Sequence, residues 1–260
     1  MQLVDKKLLV IPTYNCENQI CRLLKRMDSS ILNLFSEIII IDNRSTDKTI
    51  QRARDYILDK SLPIKIHINN QNNNLGGTLK NAINYAITSN FAYLGVIHGD
   101  DQGNPEDLRV FIERNFKSEF DLGIGSRFNK RSKLIGYSII RNLGNRAVNI
   151  LASLIMWKRI EDLIAGVNIY KVDFLRKIPF QTFPNNLTFD AHLLFSSIIH
   201  GGEIQYFPIT WQDEDQVSNA KILKQGLLIL QTLIKSRSRH SILRFTTNIE
   251  NRSVEWTRFL

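Results

Sequence analysis

The sequence has 260 residues, of which 43% are hydrophobic, and a formal charge of +9 at neutral pH. This composition excludes a wholly disordered chain, and the length suits one α/β domain with or without an appendage. Two cysteines argue against a disulfide framework or a structural zinc site and favour a reducing cytosol. No apolar stretch reaches the roughly 20 residues that span a bilayer, and we expect no secretory signal. We therefore expect a cytoplasmic protein, either soluble or peripheral on the inner face of the membrane.

Apolar runs alternate with helical spacings over the first half of the chain. Strands are predicted at 8–11, 37–41, 64–68, 91–98 and 121–125, and helices at 15–27, 45–58, 78–87 and 107–116. The strands are continuous apolar runs rather than alternating patterns. They therefore predict a parallel sheet with helices on both faces.

The second half of the chain is less regular. Helices are predicted at 139–155 and 187–200, strands at 166–170 and 203–210, and an amphipathic helix at 222–234 that precedes a basic run. We predict a domain at 1–220 and an amphipathic, basic appendage at 221–260. Segment 221–240 is suited to an anionic membrane surface; the alternative is that it packs on the domain or on a second copy of the chain.

Polar loops follow the predicted strands, at the edge where open parallel sheets bind ligands. The densest is Gly99-Asp100-Asp101-Gln102, whose carboxylates could hold Mg²⁺ or Mn²⁺ beside a diphosphate; the alternative is an acidic turn that caps the next helix. Asp42 could accept hydrogen bonds from a ribose or a base edge; the alternative is helix capping, which explains Ser45 and Asp47 better. The loop 72–77 could offer backbone N–H groups to a phosphate, although an ordinary turn explains it better.

The order of these signals resembles the family-2 glycosyltransferases of GT-A fold. The motifs are Pro12-Thr-Tyr-Asn15, Asp42-x-x-Ser-x-Asp47, Asn74-x-Gly76 and Asp100-x-Gln102-x-x-Pro105, each after one strand. Gly125-Ser-Arg127 and Asp162-x-x-x-Gly166 narrow the resemblance to relatives of dolichol-phosphate mannosyltransferase, over residues 7–220. The resemblance implies a Rossmann-like, mostly parallel sheet and a nucleotide-sugar donor.

The resemblance also implies roles for individual residues. Asp100 and Gln102 would hold Mg²⁺ or Mn²⁺, and Arg127 and Arg141 would meet the diphosphate or an acceptor phosphate. A hydroxyl acceptor would need a general base, for which Asp162 and Asp190 are the candidates, whereas a phosphate acceptor is already ionised. The nucleotide-sugar pocket would be lined by Pro12, Tyr14, Asn15, Asp42 and Gly76.

The implied reaction is metal-assisted transfer of a sugar, with inversion, from a GDP- or UDP-linked donor to a polyprenyl-phosphate or glycan acceptor in cell-envelope polysaccharide synthesis. Two departures leave open a non-catalytic relative that binds nucleotide sugar as a partner or regulator. His98 stands where the family has the first Asp of Asp-x-Asp, and acids in 211–219 stand where many relatives have Arg-x-x-Gly-x-Ser. A nucleic-acid partner is not expected, because the basic residues are spread along the chain without a binding motif.

Overall fold

A computed structural model describes residues 5–115, 119–215 and 256–260 of the chain. Its strands are β1 (Lys7–Thr13), β2 (Glu37–Asp42), β3 (Ile64–Asn69), β4 (Tyr93–Ile97), β5 (Leu122–Ser126), β6 (Lys133–Ile135), β7 (Val167–Lys171), β8 (Ile204–Pro208), β9 (Thr210–Gln212) and β10 (Trp256–Arg258). Its helices are α1 (Ile20–Lys25), α2 (Ser29–Leu32), α3 (Thr49–Asp59), α4 (Asn74–Thr88), α5 (Pro105–Asn115), α6 (Ile139–Met156), α7 (Val172–Leu175) and α8 (Phe189–Ile199).

Eight strands form the central sheet, in the order β10-β3-β2-β1-β4-β7-β5-β8. Strands β3, β2, β1 and β4 are parallel neighbours, and β5 is parallel to β8. Strand β7 lies antiparallel between β4 and β5, and β10 is antiparallel to β3. The predicted α/β fold with a mostly parallel sheet is thus confirmed. The position of β7 inside the sheet was not predicted from its apolar pattern.

The apolar runs of the strands are buried because helices cover both faces of the sheet. Leu9 and Ile11 of β1 belong to the core under α1, α3 and α5, whereas Leu8 and Val10 belong to the opposite core with α4, α7 and α8. This alternation follows from the two-residue repeat of a strand, whose successive side chains point to opposite faces. The carboxyl ends of β1, β2 and β4 therefore meet at one edge, with polar loops above them.

Two local boundaries differ from the predicted ones. The helix predicted at 15–27 begins at Ile20, which leaves a polar loop after β1. Helix α4 begins at Asn74 rather than at residue 78, so Gly76 lies in its first turn and not in a loop. Both shifts alter which backbone groups lie at the ligand-binding edge of the sheet.

The predicted appendage is only partly covered by the described residues. Strand β10, which the sequence analysis did not predict, joins residues 256–258 to the central sheet. The predicted amphipathic helix at 222–234 and the segment 221–240 lie outside the described residues. Within the described part of the chain, no helix is both long and apolar enough to cross a membrane.

Candidate functional site

The loop after β4 carries the densest predicted chemistry. The Asp100 carboxylate accepts a hydrogen bond from the backbone N–H of Gln102 at 3.2 Å. The buried Nε2 of His98 has no hydrogen-bond partner among the described residues. Burial raises the pKa of Asp100 and lowers the pKa of His98, since both groups lose solvation of their charged forms. A carboxylate and an imidazole nitrogen are thus placed together at the tip of this strand.

These side chains fit a divalent cation of the kind predicted. Across the described ranges, no three His, Cys, Asp or Glu side chains are grouped as metal ligands. Mg²⁺ commonly takes only one or two protein carboxylates and completes its shell with phosphate oxygens and water. Asp100 supplies one such carboxylate, and Nε2 of His98 has no hydrogen-bond partner among the described residues. The side-chain nitrogen of Gln102 donates to Asp213 at 2.9 Å, so the amide oxygen is the atom that a cation would use.

The neighbouring Asp101 has a different environment. Its buried carboxylate accepts from Arg22 Nε at 3.0 Å and from Arg26 Nη2. Arg22 also holds Asp215 with two hydrogen bonds, of 2.9 and 2.7 Å. Asp101 is therefore engaged in an ion-pair cluster that ties the β4 loop to the residues after β9.

The two arginines of this cluster are not among the site residues predicted from the sequence. Arg22 and Arg26 are four residues apart at helical spacing, so they lie on the same face of the chain as it passes through and beyond α1. That spacing, directly after a loop at the ligand-binding edge, was the available signal. The acidic partner in residues 211–215 could not be assigned from sequence, because it lies 193 residues away.

Loops after β1 and β2 build the neighbouring part of the edge. The Asp42 carboxylate is buried and accepts from the N–H of Ser45 at 3.0 Å and from its hydroxyl. Burial raises the pKa of Asp42, and the hydrogen bonds from Ser45 oppose that rise. Asn15 N–H donates to the Ser45 hydroxyl oxygen at 3.0 Å, and the Asn15 side-chain oxygen accepts from Thr46 N–H at 2.8 Å. The two loops are thus fastened together.

Two residues at the end of β1 complete this edge of the sheet. The carbonyl oxygen of Pro12 accepts from the N–H of Gly99 at 3.0 Å, so the ends of β1 and β4 are adjacent. Tyr14 is 41% exposed, which leaves its ring available to a ligand. Pro12, Tyr14, Asn15, Asp42 and Asp100 therefore lie along one edge of the sheet, and their role in a nucleotide pocket stays a prediction.

Gly76 has a packing role that the sequence analysis did not anticipate. Its N–H donates to the carbonyl oxygen of Asn185 at 2.7 Å. A Cβ atom at this position would lie 2.6 Å from the carbonyl oxygen of Pro184, so only glycine permits this approach of the backbones. The N–H that a phosphate contact would require is already used.

Arg127 and Asp162 form a buried ion pair. Asp162 accepts from Arg127 Nε at 2.8 Å, Nη2 at 2.7 Å and the backbone N–H at 3.0 Å. Arg127 Nη2 also donates to the carbonyl oxygen of Ile164 at 2.6 Å. The pair joins the end of β5 to the turn before β7. Both carboxylate oxygens are engaged, which disfavours Asp162 as a general base in this state.

The turn before β7 also explains why the last residue of Asp162-x-x-x-Gly166 is a glycine. A Cβ on Gly166 would lie 3.0 Å from Nδ1 of His98, and the N–H of His98 donates to the carbonyl oxygen of Gly166 at 3.1 Å. A larger residue would push the imidazole away from its position beside Asp100. The motif thus links the Arg127–Asp162 pair to the β4 loop.

Arg141 lies in the first turn of α6 and pairs with Asp213. Arg141 Nη1 donates to one carboxylate oxygen of Asp213, and the amide of Gln102 donates to the other at 2.9 Å. The Arg141 guanidinium also lies 4.9 Å from the centre of the Tyr137 ring. Asp213 therefore bridges a predicted metal-side residue and a predicted phosphate-side residue, and the sequence analysis did not single it out.

Asp190 lies apart from these loops, in the first turn of α8. It faces a small cavity, and its Oδ2 has no hydrogen-bond partner among the described residues. Burial raises the pKa of Asp190 from 3.8 to about 7. The structure does not place Asp190 with Asp100, since no residue of the loops after β1, β2 or β4 lines this cavity. The lining residues are Leu122, Ile124, Leu163, Ala165, Asn168, Tyr170, Leu193 and Leu194.

The mostly parallel sheet, with Asp42 at the end of β2 and Asp100 in the loop after β4, is the arrangement of a GT-A glycosyltransferase. Residues 8–178 match the model of the glycosyl transferase family 2, and the chain belongs to that family. It is thus a glycosyltransferase, as predicted from the order of its motifs.

Two relatives have names that state an activity. Dodecaprenyl-phosphate galacturonate synthase of Rhizobium johnstonii is 24% identical over 172 residues, which cover 65% of this chain and 49% of the relative. Dolichol-phosphate mannosyltransferase of Pyrococcus furiosus is 28% identical over 155 residues, which cover 60% of this chain and 42% of the relative. The chain thus spans about half the length of these two proteins.

The fold is also similar to that of a solved enzyme. Glucosyl-3-phosphoglycerate synthase of Mycobacterium tuberculosis, crystallised with Mn²⁺, uridine diphosphate and phosphoglyceric acid, superimposes with a TM-score of 0.67. The two chains are 16% identical, and the match covers 90% of this chain and 78% of the other. At that identity the comparison supports the fold.

Proposed function

We propose that the protein transfers a sugar from a nucleoside-diphosphate donor, GDP- or UDP-linked, to a polyprenyl-phosphate acceptor with the help of Mg²⁺ or Mn²⁺. The observation that carries the proposal is the placement of Asp100 and His98 at the tip of β4, next to the loop of Tyr14 after β1. The acceptor class is supported by the names of the two relatives, both of which include a polyprenyl phosphate.

The donor would occupy the pocket above β1 and β2. The exposed ring of Tyr14 offers an apolar face to a base, and Asp42 offers an acceptor for the hydroxyl or N–H groups of the nucleoside. Asn15 would act by holding the two loops together, because its side chain and backbone already bind Thr46 and Ser45. The diphosphate would then extend towards Asp100.

The divalent cation would neutralise charge on the departing nucleoside diphosphate. Asp100 and Gln102 would hold it, with His98 as a further nitrogen ligand. The polyprenyl phosphate attacks the anomeric carbon directly and inverts it, and no general base is needed because a phosphate is ionised near neutral pH. Arg141 would orient that phosphate after its guanidinium releases the Asp213 carboxylate and binds the phosphate instead.

A glycan hydroxyl is the second candidate acceptor. It is favoured by the ion pairs of Arg127 and Arg141, which leave neither guanidinium without a carboxylate. A hydroxyl requires a general base, and the carboxylates proposed for that role are Asp162 and Asp190. Asp162 is held by Arg127 and Asp190 lines a separate cavity, so the geometry supports the phosphate acceptor better.

A thermal-shift panel of UDP, GDP and their sugars, each with and without Mn²⁺, tests the donor site. A ligand that binds only the folded state raises the melting temperature according to its affinity. We expect a shift for one nucleotide that depends on Mn²⁺, followed by transfer of labelled sugar to a short-chain polyprenyl phosphate. Binding without transfer or donor hydrolysis would instead support the non-catalytic relative, and no binding at all would contradict the proposal.

A further inference from the structure

Helix α6 is apolar on two opposite sides, but only one side packs against the domain. Val148, Ala152 and Ile155 lie on the inner side and contact the core cluster that includes Leu163 and Phe195. A helix that is apolar all round is normally buried all round. The outer side therefore requires an explanation that packing within the described domain does not provide.

The outer side carries a continuous row of large apolar side chains. They recur at helical spacing over the 18 residues of α6, within an arc of about 120°. Each is between 39% and 92% exposed. We call this row the outer face of α6; it consists of Ile139, Ile140, Leu143, Ile150, Leu151 and Leu154, with Trp157 at the C-cap.

The charges along the segment that carries the outer face have one sign. Residues 127–160 contain eight basic residues and no acidic residue. Arg146 and Lys158 are exposed within or directly after the helix, and Lys130, Arg131 and Lys133 are exposed in the segment that precedes it. An exposed apolar row flanked by Lys and Arg and ended by Trp has the composition of a helix that lies in a membrane interface.

We propose that the outer face of α6 docks on the surface of an anionic lipid bilayer. The inference rests on the proposed function in one respect: a lipid-linked acceptor would require the protein to reach the membrane surface. A second copy of the chain explains the face less well, because two such faces in symmetric contact would bring like charges together. A bilayer with anionic headgroups instead offers apolar depth and opposite charge at the same place.

The docking would also present the candidate site to lipid headgroups. The outer face begins at Ile139, two residues before Arg141, and Arg141 binds the Asp213 carboxylate that Gln102 also contacts. The phosphate of a membrane-embedded polyprenyl chain lies at headgroup depth. Docking through α6 would therefore place Arg141 at the level of that phosphate.

Co-sedimentation of the full chain with vesicles tests the proposal. We expect binding to vesicles of phosphatidylcholine and phosphatidylglycerol in equal parts, and much weaker binding to phosphatidylcholine alone. The double substitution Ile150→Gln and Leu154→Gln should lower the partition coefficient about tenfold or more, because two exposed apolar side chains no longer enter the interface. The matched control Leu58→Gln changes a 53% exposed residue on α3 and should bind like the unaltered protein.

Trp157 supplies a second measurement that reports where contact occurs. It is 92% exposed, so anionic vesicles should shift its fluorescence to shorter wavelength, and Trp157→Phe should remove that shift. Replacing Lys130, Arg131 and Lys133 by Gln should weaken binding at low salt by about fivefold per residue.

Three results would overturn the proposal: no vesicle binding, equal binding by the Ile150→Gln/Leu154→Gln variant, or a dimer in sedimentation velocity that this variant abolishes. The second result would indicate another segment, such as 221–240, and the third a second copy of the chain. A thermal-shift measurement of nucleotide and Mn²⁺ binding, made without vesicles, distinguishes failure of the docking proposal from failure of the proposed function. Loss of docking leaves the thermal shift intact, whereas failure of the donor site removes the shift and leaves docking intact.

Discussion

We propose that one half of the ligand-binding edge binds the donor and the other the acceptor, and we call them the donor half and the acceptor half. The two halves hold their carboxylates in different ways. In the donor half, Asp42 and Asp100 accept hydrogen bonds from neutral groups close in sequence, Ser45 and the N–H of Gln102. In the acceptor half, Asp162 and Asp213 are paired with arginines 35 and 72 residues away. The donor half thus holds its carboxylates with local hydrogen bonds, whereas the acceptor half already contains its own counter-charges.

Asp101 shows that the contrast follows from the partners and not from position in the chain. It is adjacent to Asp100, yet Arg22 and Arg26 neutralise it. A carboxylate that two guanidinium groups neutralise contributes mainly to structure, and we expect it to take no direct part in binding Mg²⁺ or Mn²⁺. Substitutions at single carboxylates can therefore test which half does chemistry.

The largest effect is expected for Asp100→Asn. Removal of this carboxylate should lower sugar transfer about a hundredfold or more, because the leaving diphosphate loses its counter-charge. The Mn²⁺-dependent thermal shift should disappear while the circular dichroism spectrum stays unchanged. Asp101→Asn is the matched control: it should lose about 2 kcal/mol of stability through Arg22 and Arg26 but keep its response to Mn²⁺. Full activity of Asp100→Asn would show that sugar transfer does not need this carboxylate, and it would contradict the proposed role of the donor half.

A large loss of stability is expected for Asp162→Asn. The substitution leaves the Arg127 guanidinium buried without its carboxylate, which should cost about 3–5 kcal/mol. Urea unfolding measures this loss directly. Asp173→Asn serves as a control, since Asp173 forms an exposed ion pair with Arg176 and should change stability by less than about 1 kcal/mol. A stable Asp162→Asn variant that has lost only activity would instead support the predicted catalytic role of Asp162.

Asp190 should make stability depend on pH. Burial raises its pKa from 3.8 to about 7, so the folded protein keeps the proton to higher pH than the unfolded chain does. The contribution of this group is most favourable below about pH 4 and is lost as pH rises from about 4 through 7, by about 4 kcal/mol. Asp190→Asn should therefore gain stability relative to the unaltered protein between pH 4 and 8. Parallel pH profiles of the two proteins in thermal unfolding would contradict this assignment.

The donor half was largely predictable from sequence, because its information is local. Apolar runs that end at Pro12 or Asp42 define strands, and strands in that order place their loops at one edge. The predicted positions of Tyr14, Asn15 and Asp100 needed no knowledge of distant contacts. Gly76 was the exception: the same two-glycine signal serves helix packing, and only the approach of Asn185 reveals it.

The acceptor half was less predictable because its pairs are formed across the fold. Strand β7 lies between β4 and β5 in the sheet, and this position brings Asp162 next to Arg127. The hydrophobic pattern of the sequence does not predict where in the sheet a strand is inserted. Asp213 likewise meets Arg141 only through the short pairing of β6 with β9. The acids near residue 213 were visible in the sequence as a departure from the family pattern, but their partners were not.

The smallest effect is expected for Asp213→Asn, which tests how an anionic acceptor enters a half that is already neutralised. Asp213 competes with an incoming phosphate for Arg141, so its replacement should lower the KM for a polyprenyl phosphate about fivefold and leave kcat close to its original value. The isosteric amide keeps a hydrogen-bond partner for Gln102, which limits disturbance of the metal side.

Asp215→Asn is the control for that experiment, because Asp215 binds Arg22 and not Arg141. It should leave the KM unchanged. Steady-state kinetics with both variants also separate the two acceptor classes. A phosphate acceptor must displace Asp213 and responds to its removal, whereas a hydroxyl acceptor leaves the Arg141–Asp213 pair in place and does not. An unchanged KM in Asp213→Asn would therefore contradict the phosphate acceptor. It would indicate that the ion pairs of the acceptor half stay formed during the reaction and have a structural role.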